Sequence, residues 1–307
     1  MDITGLPPRD RALYRILYKR LRLPRSVVHG TMGALRRRRL GPEFEQRRAL
    51  LNEFQPGPLA LDPNTGWRFV DRGESAELTE LAERCAALFE SFRGEGHADE
   101  VLARNPSKRF LLGVRSGNEL LAHPELVKLM VARPIVDAAA HYLGSVPRLE
   151  GAVLWWTPPN ASQTSSQCWH IDELARRQVK ILLNCSEVTA DCGPVHFLPG
   201  DRSEALREQM KHKRGRVNDE DLLARARPEE IRQATGPAGS AIMLDSSRCL
   251  HFGSRGNERD RLVLAFHFFA ADAPVDSRYH IELNAFNGPY AELDPIQRLA
   301  LGHGLTS

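Results

Sequence analysis

Two short stretches of this chain carry residue types that can hold a metal. The first is Cys168-Trp169-His170-Ile171-Asp172, where a histidine and a carboxylate stand two residues apart. On an extended strand, side chains at i and i+2 leave the same face, so this imidazole and this carboxylate converge on one point. The second is Cys249-Leu250-His251-Phe252-Gly253-Ser254, with a histidine at the end of an apolar run. Two imidazoles and one carboxylate make the facial triad of non-haem Fe(II) oxygenases, which leaves the other metal positions open. An H-x-D pair alone is better read as a surface histidine and aspartate sharing a hydrogen bond. The residues around it shift the reading to His170, Asp172 and His251 as ligands of iron.

Those surroundings follow a definite order. After Trp169-His170-Ile171-Asp172 come a strand-like run, Val179 to Leu183, and the turn Cys192-Gly193-Pro194-Val195-His196-Phe197-Leu198-Pro199-Gly200-Asp201. The distal histidine is followed by Gly253, Ser254, Asn257 and Arg261, the last at the head of the run Leu262 to Phe269. In order and rough spacing, residues 150–270 resemble the phytanoyl-CoA dioxygenase-like family of Fe(II)- and 2-oxoglutarate-dependent oxygenases. The turn departs from the family pattern by ending Pro-Gly-Asp, and Phe252 is an extra residue before Gly253-Ser254.

The resemblance implies a double-stranded β-helix, a jelly-roll of the cupin kind. It implies 2-oxoglutarate bound through its 1-carboxylate and keto oxygen, with O2 as co-reactant and succinate and CO2 as products. The far carboxylate of the cosubstrate needs a buried permanent cation, and the planar fork of arginine suits it. Arg261 is the residue the resemblance selects, with Arg259 as the fallback and Ser254 as an additional hydrogen-bonding group. In halogenating relatives a small residue replaces the carboxylate ligand. Asp172 is present here, so the expected reaction is hydroxylation of an aliphatic C–H in a small molecule, lipid or natural product. Trp169, Gln167 and Trp156 are the substrate-side candidates, while His196 and His267 read as structural. Cys168 and Cys249 each precede a ligand by two residues, and on a strand they would share its face.

The elements that must position these groups begin near Leu149, where the pattern turns from helical to strand-like. Gly151 to Trp156 is aromatic and β-branched, and Thr157-Pro158-Pro159-Asn160 breaks it. Residues 161–168, rich in Ser and Gln, read as a loop over the site. Many short strands with Gly/Pro turns indicate a sandwich or barrel. Residues 201–235 interrupt them with a charged insertion, helical over Arg202–Met210 and Leu222–Gln233, which either caps the substrate mouth or stands as a solvated arm. The first half supplies covering helices: one from Leu78 to Arg93, and one opened by His123-Pro124-Glu125 and running to about Leu143. Residues 53–70 read as loop or irregular strand. The expected architecture is therefore mainly β with flanking helices. Its divisions are a basic helical extension over 1–50, an oxygenase domain over 51–290 and an irregular tail over 291–307.

Bulk properties are those of an ordinary globular chain: 307 residues, 42% hydrophobic, 26% charged, net charge +3. So small a charge implies no nucleic-acid partner. No run reaches 18 apolar residues, and the N-terminus has no continuous apolar core of a secretory signal. Five cysteines without paired spacing predict reduced thiols and a cytoplasmic setting. No C-x-x-C pair points to zinc, and neither nucleotide-binding glycine motif occurs. Leu13, Ile16, Leu17 and Leu21 fall at helical spacing among arginines, and Arg36 to Arg39 form a run of four. Such a helix suits an anionic membrane surface or an acidic partner; otherwise it packs on the core with its arginines in water. Two other functions compete with the oxygenase: a non-catalytic jelly-roll module binding a sugar or lipid, and a cupin using another divalent metal.

Overall fold

The structure is a computed structural model, and it describes residues 6–54, 57–94, 110–212, 215–274, 279–281, 283 and 285–302. Its strands in chain order are β1 (Trp67–Val70), β2 (Leu112–Ser116), β3 (Arg148–Thr157), β4 (Gln178–Asn184), β5 (His196–Phe197), β6 (Arg232–Gln233), β7 (Ala241–Leu244), β8 (His251–Phe252) and β9 (Arg261–Phe269). Six of them form one antiparallel sheet in the order β1-β7-β4-β9-β3-β2. The other three form a smaller sheet, β6-β5-β8. The inner faces of the two sheets meet where Phe197 packs between Trp67 and Phe69, at 5.3 and 6.0 Å between ring centres.

Strand β9 sets the logic of the large sheet. Leu262, Leu264, Phe266 and Phe268 are all buried in the main core, on the face covered by helices Ala76–Gly94, Pro124–Met130, Arg133–Leu143 and Pro295–Ala300. The alternate residues Arg261, Val263, Ala265, His267 and Phe269 point the other way and line a cavity between the sheets. The same period of two runs through β4, where Val179, Ile181 and Leu183 face the helices and Gln178, Lys180 and Leu182 face the cavity. A one-residue slip in this register would exchange a phenylalanine core for a row of site residues, so burial fixes it firmly.

Several elements differ from the sequence expectation. The helix expected from Pro124 to Leu143 is two helices, because Pro134 has no N–H to continue the first and instead opens the second. Residues 53–70 contribute the edge strand β1. The insertion is helical at Gly200–Gln209 and Asp219–Leu223, but Arg232–Gln233 is a strand pairing with β5 rather than helix. The stretch expected to be an irregular tail contains helix Pro295–Ala300, capped by Asp294, whose carboxylate accepts from the Ile296 and Gln297 amides at 2.8 and 2.9 Å. Ile296, Leu299 and Leu301 join the main core. His303, which the sequence places in that irregular tail, lies outside the described residues.

The basic N-terminal residues form helix Pro8–Tyr14, a π-helical turn Arg15–Arg20, and helices Arg25–Leu40 and Pro42–Ala49. Leu6, Tyr14, Tyr18, Val28 and Met32 make a separate small core, against which Leu174 of the site region packs. No helix among the described residues is long and apolar enough to cross a membrane.

Candidate metal centre

His170 and His251 come together through the backbone. His170 follows the loop that ends at Cys168 and pairs with β8 as an added edge: its N–H donates to the His251 carbonyl at 3.0 Å, and the His251 N–H returns the bond at 2.9 Å. Their rings lie 4.4 Å apart. Each imidazole donates from Nδ1 to the carbonyl two residues earlier in its own chain, Cys168 at 2.8 Å and Cys249 at 2.9 Å. A carbonyl can only accept, so Nδ1 carries the proton and Nε2 presents a lone pair. Both Nε2 atoms face Asp172, at 3.9 Å from Oδ1 for His170 and 4.0 Å from Oδ2 for His251. One ligand atom from each of the three residues lies within 4.8 Å of the other two. Two neutral imidazoles and a carboxylate on one side of a point, with open cavity on the other, fit a divalent cation that keeps vacant positions.

Electrostatics prepare the same set. Burial raises the Asp172 carboxyl, but the Lys180 ammonium beside it outweighs burial and holds the group well below the usual carboxylate range. Burial pushes His251 down to about 3 and lowers His170 as well, so both are neutral at ordinary pH. Asp172 Oδ2 accepts from Lys180, from Ser246 Oγ at 2.8 Å and from Gln178 Nε2 at 3.1 Å, while the Asp172 N–H is fixed on the Ser246 carbonyl at 2.8 Å. Sequence reasoning missed these three supports. The available signal was Lys180, a lone cation inside the apolar run of β4.

Arg261 opens β9 and is 6% exposed. Its Nη2 donates to Ser254 Oγ at 2.7 Å, and its Nε has no partner. Burial lowers its pKa to about 10, which leaves it charged. Among the described residues it makes no ion pair, so a buried cation faces the cavity without a protein counter-ion. Ser254 holds a left-handed backbone at φ 61°, a conformation uncommon outside glycine. The Gly193-Pro194 turn packs on this loop: the Ser254 N–H donates to the Gly193 carbonyl at 3.0 Å, and a Cβ on Gly193 would stand 2.9 Å from Asn257 Cβ. The glycine of the motif is thus a close-approach position that keeps Ser254 and Arg261 in place.

The cavity measures about 430 Å³. Beyond the groups above it is lined by Trp155, Glu173, Leu174, His267, Phe269 and Tyr279. Four sequence candidates lie elsewhere. Trp169 has the opposite parity to His170, so it is buried in a different cluster with Leu198, Leu206 and Leu222, its ring centre 4.6 Å from that of Phe252. Trp156 pairs with Leu262 on the helix-covered face and packs on Phe89, whereas Trp155, paired with Val263, lines the cavity. Gln167 is fully buried as a staple, its Nε2 on Asn160 Oδ1 and the Ser254 carbonyl. Arg259 precedes the first residue of β9, so strand parity does not apply to it; it is exposed and ion-paired with Asp191 at 3.7 Å and Glu187 at 3.9 Å. Cys249 Sγ turns toward the Thr65 and Gly66 carbonyls, and Cys168 Sγ toward the Gln163 carbonyl; neither lines the cavity. His196 stacks on Phe252 and bonds the Pro194 carbonyl, as a structural histidine does, but His267 faces the cavity. The insertion contributes Gly215 and Arg216 to the cavity wall, and the Arg216 Nε is anchored on the Ser165 carbonyl at 2.7 Å.

No family model matches the chain, and no curated protein sequence matches it. Solved structures do. The iron-bound EctD from S. alaskensis superimposes with a TM-score of 0.50 at 19% identity, over 73% of this chain and 79% of that one. The same enzyme with 2-oxoglutarate and 5-hydroxyectoine gives 0.49 at 18%, over 71% and 83%. SnoK, a non-haem α-ketoglutarate-dependent carbocyclase of nogalamycin biosynthesis, gives 0.43 at 16%, over 70% and 83%. With the two sheets described above, the first of these likenesses establishes the fold as the jelly-roll, cupin-like core with flanking helices.

Proposed function

We propose that this protein is a non-haem Fe(II)- and 2-oxoglutarate-dependent oxygenase that hydroxylates an aliphatic C–H of a small-molecule or lipid substrate. The observation that carries the reading is the meeting of the His170-Ile171-Asp172 stretch with His251, about 80 residues further along the chain, with a lone pair on each histidine Nε2. Iron bound there, with 2-oxoglutarate and O2, would supply the oxidising power, leaving succinate and CO2 as co-products.

The chain's own residues do the rest. His170 and His251 are held in one tautomer by their own carbonyls, and Asp172 by Lys180, Ser246 and Gln178, so little is left to reorganise when a cation enters. Arg261, with Ser254, offers a buried fork for the distal carboxylate of the cosubstrate, at the end of β9 remote from Phe269. Asp172 fills the position that would otherwise admit a halide, which favours hydroxylation over halogenation. Val153, Trp155, Leu174 and Phe269 make an apolar wall that orients an aliphatic substrate and excludes water, while Glu173, His267 and Tyr279 supply polar contacts.

Anaerobic addition of Fe(II) and 2-oxoglutarate should produce a visible charge-transfer band, absent in His251→Ala. Admitting air should release succinate slowly even without substrate. A protein that gives neither band nor succinate would be a binding module, and the proposal would fail.

A further inference from the structure

Large apolar side chains exposed to water are concentrated in one place. Among the described residues they are Ile16, Leu21, Val27 and Leu35, all on the N-terminal arm, and Leu223. Ile16 and Leu21 are the most exposed of the arm's four, at 48% and 56%. They stand one π-helical turn apart, joined by the Leu21 N–H donating to the Ile16 carbonyl at 2.9 Å. Around them Arg15, Lys19, Arg20 and Arg22 are exposed, and none makes an ion pair among the described residues. The one carboxylate between Leu6 and Gly41 is Asp10, which is buried and paired with Arg36. The inward side of the same turn is Tyr18, whose hydroxyl donates to Glu173 Oε1 at 3.4 Å, and Glu173 lines the cavity. The turn is therefore anchored on the site and presents outward two apolar side chains within a ring of uncompensated cations.

A second copy of the chain would set these cations against each other. An acidic protein surface would answer the charge but offers no apolar layer beneath it. A bilayer with anionic headgroups answers both: cations meet the headgroups while apolar side chains enter the acyl boundary. We propose that residues 15–27 dock this protein on an anionic lipid surface, with Ile16 and Leu21 inserted and Arg15, Lys19, Arg20 and Arg22 on the headgroups. Docking would seat on the lipid the same turn whose inward side, through Tyr18, contacts Glu173 of the cavity wall.

The test is co-sedimentation of the full chain with vesicles of phosphatidylcholine alone and of phosphatidylcholine with one third phosphatidylserine. The expected result is binding to the anionic vesicles at low salt, reduced by high salt, with little binding to neutral ones. Replacing the four cations by glutamine should weaken partitioning by more than about 100-fold. Ile16→Ser with Leu21→Ser, which leaves the charge unchanged, should also weaken it, and this separates insertion from a purely electrostatic film. Thermal unfolding identical to wild type would show that both variants are folded, as expected for exposed positions. Absence of binding, equal binding of wild type and folded variants, or a dimer dissolved by the Ile16/Leu21 substitutions would each overturn the proposal.

Discussion

At the scale of residues, the centre depends on how tightly Asp172 is held before any cation arrives. Ser246 donates to Oδ2 and also receives the Gln178 amide, so its hydroxyl links two of the carboxylate's supports. Ser246→Ala should lower Fe(II) affinity about 10- to 100-fold, read by titrating metal-free protein; unchanged affinity would mean that Lys180 and Gln178 suffice. Arg261 is separable from the metal. Charge-assisted hydrogen bonds are worth about 1.5–3 kcal/mol, so Arg261→Leu should raise the 2-oxoglutarate KM by roughly 10- to 150-fold with iron binding intact. Arg259→Leu, on an exposed ion-paired residue, should leave that KM unchanged. The convergence of His170, Asp172 and His251 could be read from the sequence because parity and motif order constrain it. The sequence offers Trp155, Trp156 and Trp169 alike as pocket residues, reads His267 as structural and gives Lys180 no role, for a physical reason. Which face of a strand looks inward depends on the strands beside it, and Trp155 and Trp156 differ only by that choice.

At the scale of elements, the N-terminal arm is more than a basic extension. Arg25, at the start of its helix, donates to the carbonyls of Ser247, Asp172 and Ala175 at 2.9, 3.1 and 2.6 Å, gripping the segment that bears Asp172. One turn later His29 accepts from Arg25 at 3.3 Å and must be neutral to do so. Burial, and then the Arg25 charge, push its pKa down to about 3. Below its ordinary value near 6.5 the unfolded chain takes up a proton that the folded arm refuses. Stability is therefore complete above 6.5 and falls with acid, by about 1.4 kcal/mol per pH unit, until about pH 3. Between pH 6.5 and 5 this one group accounts for about 2 kcal/mol. His29→Gln, which can still accept from Arg25, should show that much less acid destabilisation in urea unfolding. Equal pH slopes for variant and wild type would mean that His29 is charged in the fold. The helical spacing of this arm was visible in the sequence, but its docking was not. Arg25 bonds to backbone carbonyls, which carry no residue-specific signal.

At the scale of the molecule, the centre joins parts that the fold brings close but does not chemically bind. His251 belongs to the small sheet and His170 to an edge added to it. Asp172 is tied to β4 of the large sheet through Lys180 and Gln178. A cation on all three would connect the two sheets and bind the folded state alone, because the unfolded chain holds no preformed site. At a hundred times its dissociation constant it should add about 2.7 kcal/mol, raising the melting temperature of a chain this long by about 4 °C. Mn(II) or Ni(II), which do not turn over in air, allow the measurement without oxidative damage. His170→Ala is the informative control, since the His170–His251 pairing uses main-chain groups and survives the substitution. That variant should fold, melt near the metal-free wild type and gain nothing from added cation. If it gained as much as wild type, the stabilising ion would be bound elsewhere, and the three side chains would be neighbours without being a metal site.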